Sequence, residues 1–127
     1  MTYIREGVSH VSPYLIVSNP HQLVEFLITV FDAELIFQQD DATGQPLHVE
    51  VQIKDSTIMI GRNEEDKMGI NPSMLHIYVQ DAEQVMQTAL DNGATLVSEI
   101  REDTAAGDRR GMVQGPQGNY WAIATRF

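Results

Sequence analysis

An internal repeat of about sixty residues constrains the fold of this chain more than any other feature of its sequence. Val17 and Asn19 in the first half match Val79 and Asp81 in the second half at a constant offset. In both halves a short apolar strand precedes a helical pattern, and a further apolar stretch follows it. The repeat therefore predicts two similar modules, and 127 residues are too few for these to be more than halves of one domain.

The boundaries of the two modules follow from the longest polar segment of the chain. Residues 61–72 (GRNEEDKMGINP) combine glycine, proline and charged residues, which is typical of a loop between structural units. We therefore predict a first module at about residues 8–62, a joint at residues 62–72 and a second module at about residues 73–127. Together they make residues 1–127 a single domain.

Each half contains one amphipathic helix with clear start signals. Asn19 is the predicted N-cap of the first helix, and Asp81 is the predicted N-cap of the second. Asn92 and Gly93 are predicted to end the second helix. Apolar residues recur in both helices at the i, i+3, i+4, i+7 spacing of one buried face. These residues are Leu23, Phe26, Leu27, Val30 and Phe31 in the first helix, and Ala82, Val85, Met86, Ala89 and Leu90 in the second.

The remaining segments alternate between two kinds of residue, as half-buried strands do. Each module is therefore predicted to contain a strand, a helix and three further strands, which gives an α+β fold of two βαβββ modules. One face of each sheet is apolar and is expected to be covered by the helix of its module. The opposite face is mixed in character. The residues assigned to the mixed faces are Tyr14, His48, Glu50 and Met59 in the first module, and Met74, His76, Tyr78 and Tyr120 in the second.

The composition of these mixed faces favours a binding site. Side chains that are partly apolar and partly hydrogen-bonding line ligand pockets and interfaces. The alternative is that they are ordinary half-buried strand residues or a contact between two subunits. Because the same alternation recurs on four strands, we interpret the eight residues as the lining of a concave ligand-binding pocket.

Charge and composition exclude several classes of partner. The chain has 8 Lys and Arg against 18 Asp and Glu, so its net charge of −10 disfavours nucleic acids and anionic membranes. No apolar run approaches the roughly 18 residues of a transmembrane helix, and the first residues lack the apolar core of a secretory signal. The absence of cysteine removes disulfides and thiolate chemistry. We expect a cytoplasmic protein.

Two segments near the C-terminus carry the most specific motifs, residues 107–111 (GDRRG) and residues 115–121 (GPQGNYW). Further matching segments are residues 13–17 (PYLIV), 31–34 (FDAE), 47–51 (LHVEV), 76–81 (HIYVQD) and 92–94 (NGA). Together they resemble the glyoxalase/bleomycin-resistance/dioxygenase superfamily, which has the vicinal oxygen chelate fold, and its PhnB-like branch in particular. The resemblance implies two βαβββ modules forming curved mixed sheets, small-molecule pockets in those sheets, and a homodimer.

The resemblance also indicates where a metal would be held. Catalytic members of the superfamily bind one divalent metal with side chains from the first and last strands of each module. The matching positions here are Ser12, Met59, Met74 and Ala122, and a shift of two residues would bring in His76 without completing the set. A hydroxyl, thioethers and a methyl group do not hold such an ion. We therefore expect no metal, no other cofactor and no catalytic residue of the usual kind.

A different metal site remains open at this point. His10, His48, Glu50 and His76 project towards the mixed faces, and two histidines with one carboxylate suffice for iron or zinc if they converge. The alternative is a hydrogen-bonded polar strip. His48 and Glu50 are also a candidate general acid/base pair, although no nucleophile accompanies them.

Three functions fit the sequence. The first is a metal-free small-molecule-binding protein with an aromatic or cationic ligand. The second is an enzyme, either a metal-dependent glyoxalase-type lyase, isomerase or dioxygenase with a non-standard ligand set, or a metal-free acid/base catalyst. The third is a dimeric module without a ligand. Arg109 and Arg110 fit either recognition of a substrate carboxylate or pairing with Asp108 in a loop.

Overall fold

The computed structural model describes residues 3–63 and 73–127, and its elements follow the predicted order in both modules. The first module consists of β1 (Tyr14–Val17), α1 (Pro20–Phe31), β2 (Glu34–Asp40), β3 (Pro46–Ile53) and β4 (Ser56–Arg62). The second consists of β5 (Met74–Tyr78), α2 (Ala82–Asp91), β6 (Thr95–Asp103), β7 (Asp108–Gln114) and β8 (Tyr120–Arg126). The α+β fold of two βαβββ modules is confirmed. Most of the predicted joint, from residue 64 to residue 72, lies outside the described residues.

The described residues form two four-stranded mixed sheets with the same topology. Their strand orders are β1-β4-β3-β2 and β5-β8-β7-β6. In each sheet the first strand pairs parallel with the last strand of its module, and the other pairings are antiparallel. The two halves of the sequence repeat therefore fold into modules with the same strand order, and each module has one helix.

Both helices begin where their capping residues predict. The Asn19 side chain accepts a hydrogen bond from the Gln22 backbone N–H at 3.2 Å, which satisfies one of the amides that a helix start leaves unpaired. Asp81 accepts from the Gln84 N–H at 3.1 Å in the same way. The helix α1 has 12 residues and α2 has 10. Among the described residues, no helix is long and apolar enough to cross a membrane.

The predicted helical stripes lie in the core. All five predicted α1 residues are buried; in α2 Ala82, Met86 and Ala89 are buried, and Val85 and Leu90 partly buried. The core continues from one module to the other, because the buried indole of Trp121 on β8 packs against α1. Its centroid lies 5.4 Å from that of Phe31 and 6.5 Å from that of Phe26. Trp121 thereby joins the second sheet to the first helix.

The apolar faces are covered less completely than the sequence predicts. The helices cover the inner strands, whereas β2 is exposed along its whole length and β6 along most of it. Leu35 and Leu96 occupy equivalent places on these two outer strands and are both exposed. One helix of three turns is too narrow to span four strands, so each sheet leaves apolar side chains on its outer strand in contact with solvent.

Candidate ligand-binding faces of the two sheets

The register of the first sheet places its four predicted site residues on one face. Met59 on β4 lies between Tyr14 on β1 and Glu50 on β3, and His48 pairs with Gly61 one step along the same face. This face lies opposite the buried side chains that pack against α1. We call Tyr14, His48, Glu50 and Met59 the first mixed face.

Three residues of the first mixed face form a hydrogen-bonded chain. The hydroxyl of Tyr14 lies 3.0 Å from His48 Nδ1, and His48 Nε2 lies 2.7 Å from the Glu50 carboxylate. A carboxylate only accepts, so Nε2 of His48 carries a proton and donates it to Glu50 in a hydrogen bond. The Tyr14 and His48 rings also stack, with centroids 5.4 Å apart. Such a chain orients His48 and links the exposed phenol of Tyr14 to the Glu50 carboxylate.

Glycine at position 61 allows this arrangement. A Cβ atom there would lie 2.7 Å from both Cε1 and the hydroxyl oxygen of Tyr14, closer than real Cβ contacts. Because Gly61 has no side chain, the Tyr14 ring can lie flat over β4 and reach His48 on β3. The sequence pattern placed both residues on the same face, and the missing side chain between them brings them into contact.

Sequence reasoning missed two members of this site, Arg5 and Phe37. The Arg5 guanidinium forms an ion pair with Glu50, and its central carbon lies 4.6 Å from the centroid of the Phe37 ring. Phe37 also meets His48 edge-on at 6.0 Å. A shift of register between Leu35 and Phe37 turns Phe37 to the mixed face, although simple alternation puts both residues on one side. Arg5 lies in an irregular segment before β1, where no periodicity indicates its direction.

Glu50 is a buried carboxylate, with 2% of its surface exposed. Burial by itself raises the pKa of Glu50, but hydrogen bonds and charge from Arg5 and His48 outweigh it and hold the pKa below its usual value. The carboxylate is therefore ionised at neutral pH and already has two partners. Glu50 is predicted to line the ligand pocket, but its carboxylate is already paired with Arg5 and His48.

The other four predicted residues share one face of the second sheet. Met74 pairs with Tyr120, while His76 and Tyr78 pair with two small residues of β8, Ala122 and Ala124. Met74, at 64%, and Tyr78, at 58%, are strongly exposed. We call Met74, His76, Tyr78 and Tyr120 the second mixed face. The structure thus divides the eight predicted residues into two sets of four on two different sheets.

A buried carboxylate, Asp108, anchors the second mixed face. Tyr78 donates a hydrogen bond to it at 3.1 Å, and Asp108 is only 1% exposed. This hydrogen bond, with burial and the charge of Asp108 added, raises the pKa of the Tyr78 phenol. Arg110 lies 3.5 Å from Asp108 and 3.2 Å from Asp103. Asp108 follows the turn at Gly107. The sequence around Asp108 predicts neither its burial nor its contact with Tyr78, which lies 30 positions earlier in the chain.

The two arginines of the GDRRG segment have acidic partners within the chain. Arg110 bonds to Asp103 and Asp108, and Arg109 forms an ion pair with Glu83 of α2. These contacts favour the loop-pairing interpretation over recognition of a substrate carboxylate.

A cleft lies between the modules. It has a volume of about 380 Å³ and is bordered by Pro13, by the turn between β3 and β4, and by the edge strand β5. His76 and Tyr78 of the second mixed face line this cleft together with Trp121. The cleft is therefore continuous with one of the two predicted sets of site residues.

The donors present do not fit the superfamily metal. His10 contacts Tyr3 at 2.7 Å and His76 packs edge-on against Tyr78, so neither joins the pair formed by His48 and Glu50. Across residues 3–63 and 73–127, no three histidine, aspartate or glutamate side chains converge as a metal site would require. His48 and Glu50 instead belong to the hydrogen-bonded strip that the sequence left as an alternative.

Comparison with known proteins identifies the class. The family model of the Glyoxalase/Bleomycin resistance protein/Dioxygenase superfamily matches residues 7–123, so the chain belongs to this superfamily. The Mycobacterium bovis protein Mb0911c is 29% identical over 122 residues, which cover 88% of this chain and 80% of that protein.

Solved structures share the fold. TioX from Micromonospora sp. ML1 superposes with a TM-score of 0.78 at 22% identity, covering 94% of this chain and 99% of TioX. A PhnB protein from Bacillus cereus gives a TM-score of 0.75 at 10% identity, covering 92% of this chain and 99% of that one. The predicted superfamily is confirmed, with a PhnB protein among its structural neighbours. Proteins of this superfamily typically bind small molecules, and the fold is commonly dimeric.

Proposed function

We propose that this protein binds a small aromatic or cationic molecule and does so without the superfamily metal. The observation that carries the proposal is the second mixed face, which presents exposed thioether, imidazole and phenol groups beside the cleft. Such side chains combine apolar surface with hydrogen-bonding capacity, as pocket linings do. The cleft volume of about 380 Å³ falls within the range of about 300–1,000 Å³ that is usual for small-molecule sites.

Thermal shift and calorimetry test ligand binding. The test compounds are planar aromatic molecules, both uncharged and cationic. Phosphates serve as the comparison class, which we expect to bind less well. A ligand at about 100 times its Kd stabilises the fold by about 2.7 kcal/mol. We expect His76→Ala to weaken binding about tenfold, because His76 lines the cleft. His21→Ala on α1 is the matched control, since His21 is exposed and outside the cleft lining. Failure of every aromatic compound to bind contradicts the proposal.

The metal-free part of the proposal rests on Ser12, Met59, Met74 and Ala122, the positions that the resemblance matches to the metal ligands of the superfamily. We expect purified protein to contain no stoichiometric divalent metal, and EDTA to leave its melting temperature unchanged. Elemental analysis is the measurement. Near-stoichiometric zinc, nickel, manganese or iron contradicts the expectation, and loss of that metal in His48→Ala would then assign it to the first mixed face.

A homodimer is the second part of the proposal. Each module has one helix, which covers one side of its sheet, so Met74 and Tyr78 on the other side have no described element packed over them. Exposed apolar side chains of this kind favour burial against another surface, and two copies of a chain most often associate about a two-fold axis. A second subunit would convert the open face into an enclosed pocket.

Light scattering tests the assembly. We expect about twice the chain mass of 14.2 kDa at micromolar concentration. Met74→Glu should shift the protein towards the monomer, because it places a charge on the face to be covered. Ile28→Glu, on the exposed side of α1, should remain dimeric. A species of 14.2 kDa at every concentration contradicts the dimer and leaves the pocket open to solvent.

A further inference from the structure

We propose that Glu50, Phe37 and His48 form a recognition site for a planar guanidinium or amidinium cation, and that Arg5 occupies this site until such a ligand displaces it. We call these three residues the cation site. The inference goes beyond the proposed function, because this site lies on the first sheet and shares no residue with the lining of the cleft, and it names the chemical class of its ligand.

The geometry of Arg5 shows how a planar cation fits. Its guanidinium pairs with the Oε1 atom of Glu50, and its central carbon stands 4.6 Å over the ring of Phe37. That distance is well inside the limit of about 6 Å for a cation–π contact. His48 Nε2 donates to Oε2, the second carboxylate oxygen, at 2.7 Å and so fixes the plane of the carboxylate. A carboxylate edge combined with an aromatic face recognises a flat cation better than it does an ammonium group.

Burial is asymmetric across this ion pair. The Glu50 side chain is 3% exposed, whereas that of Arg5 is 49% exposed. A buried carboxylate requires a partner, because leaving it unpaired costs its full desolvation penalty. The partner does not have to be Arg5, since a half-exposed guanidinium returns to water at little cost. A cationic ligand can therefore exchange with Arg5 and still compensate the charge of Glu50, whereas an uncharged ligand cannot.

The segment that carries Arg5 is suited to exchange. Residues 3–13 contain no helix or strand, and Arg5 reaches Glu50 across 45 positions of sequence. The segment also meets the sheet where the Ser9 backbone N–H donates to the Thr57 hydroxyl at 3.3 Å. Segments outside the hydrogen-bonded sheet open at a lower free-energy cost than the sheet itself. Release of Arg5 thus leaves the sheet and its core intact.

Calorimetry with benzamidine and its uncharged counterpart benzamide tests the exchange. Both compounds are flat and similar in size, so they differ chiefly in charge. We expect benzamidine to bind the natural protein, and Arg5→Ala to bind it at least about tenfold more tightly, because the competing guanidinium is gone. Glu50→Gln should abolish the preference for benzamidine over benzamide. Glu25→Gln, at an exposed carboxylate on α1, should leave it unchanged.

The outcomes separate this inference from the proposed function. If Arg5→Ala binds benzamidine and benzamide equally, the cation site is wrong, while binding of any aromatic compound still supports the pocket. If Arg5→Ala does not fold, Arg5→Lys replaces it, since lysine keeps the charge and loses the planar contact with Phe37. Tighter benzamidine binding by Arg5→Lys then supports the inference, and unchanged affinity overturns it.

Discussion

Replacement of Trp121 by alanine is expected to lower the free energy of unfolding by about 3–5 kcal/mol. The indole is completely buried and packs against the Phe26 and Phe31 rings of α1. Its removal leaves a cavity between the second sheet and the first helix, where both modules share one core. Urea unfolding followed by circular dichroism measures the loss.

The neighbouring residue provides the control for this substitution. Tyr120 precedes Trp121 on β8, points to the opposite face and is partly exposed, so Tyr120→Ala should cost less than about 1.5 kcal/mol. A single transition is expected in both variants, because Trp121 couples the modules. Two separate transitions, with only one of them shifted in Trp121→Ala, would contradict the prediction that residues 1–127 form one domain.

The helices and the sheet faces were predictable because their signals are local. Asn19 and Asp81 each cap a helix with their own side chain, within three residues of the amide that they bind. Alternation along β3 likewise assigned His48 and Glu50 to the face opposite Val49 and Val51, as the register shows. Such patterns depend on neighbours in sequence, so one chain suffices to detect them.

Contacts between distant residues were not predictable in this way. Arg5 pairs with Glu50 across 45 residues, and Phe37 faces His48 only because β2 is irregular. Alternation fixes the face on which a side chain lies but not whether two atoms meet on it. His10 illustrates the difference, because its ring contacts Tyr3 rather than the polar strip on the first sheet.

Glu50→Gln is expected to lower the free energy of unfolding by about 1–3 kcal/mol at pH 7, because the buried amide pairs less well with Arg5 and His48 than the carboxylate does. The size of this difference should depend on pH. The pKa of Glu50 is lowered in the folded protein from an ordinary value of 4.5, so the folded state binds its proton less readily than the unfolded state.

The sign of the pH dependence follows from that shift. The contribution of Glu50 is fully present above pH 4.5 and is lost as the pH falls through the lower folded pKa, where a protonated Glu50 resembles glutamine. Urea titrations of both proteins between pH 7 and pH 2 should therefore converge at the acid end.

Glu50→Gln should retain some acid sensitivity, because hydrogen bonds from Thr43 to Asp41 and from Ala106 to Asp103 lower the pKa of each of those carboxyls too. Glu25→Gln, whose carboxylate is exposed, should follow the natural protein throughout. A stability difference that stays constant down to pH 2 would mean that Glu50 is not the ionised partner of Arg5 and His48.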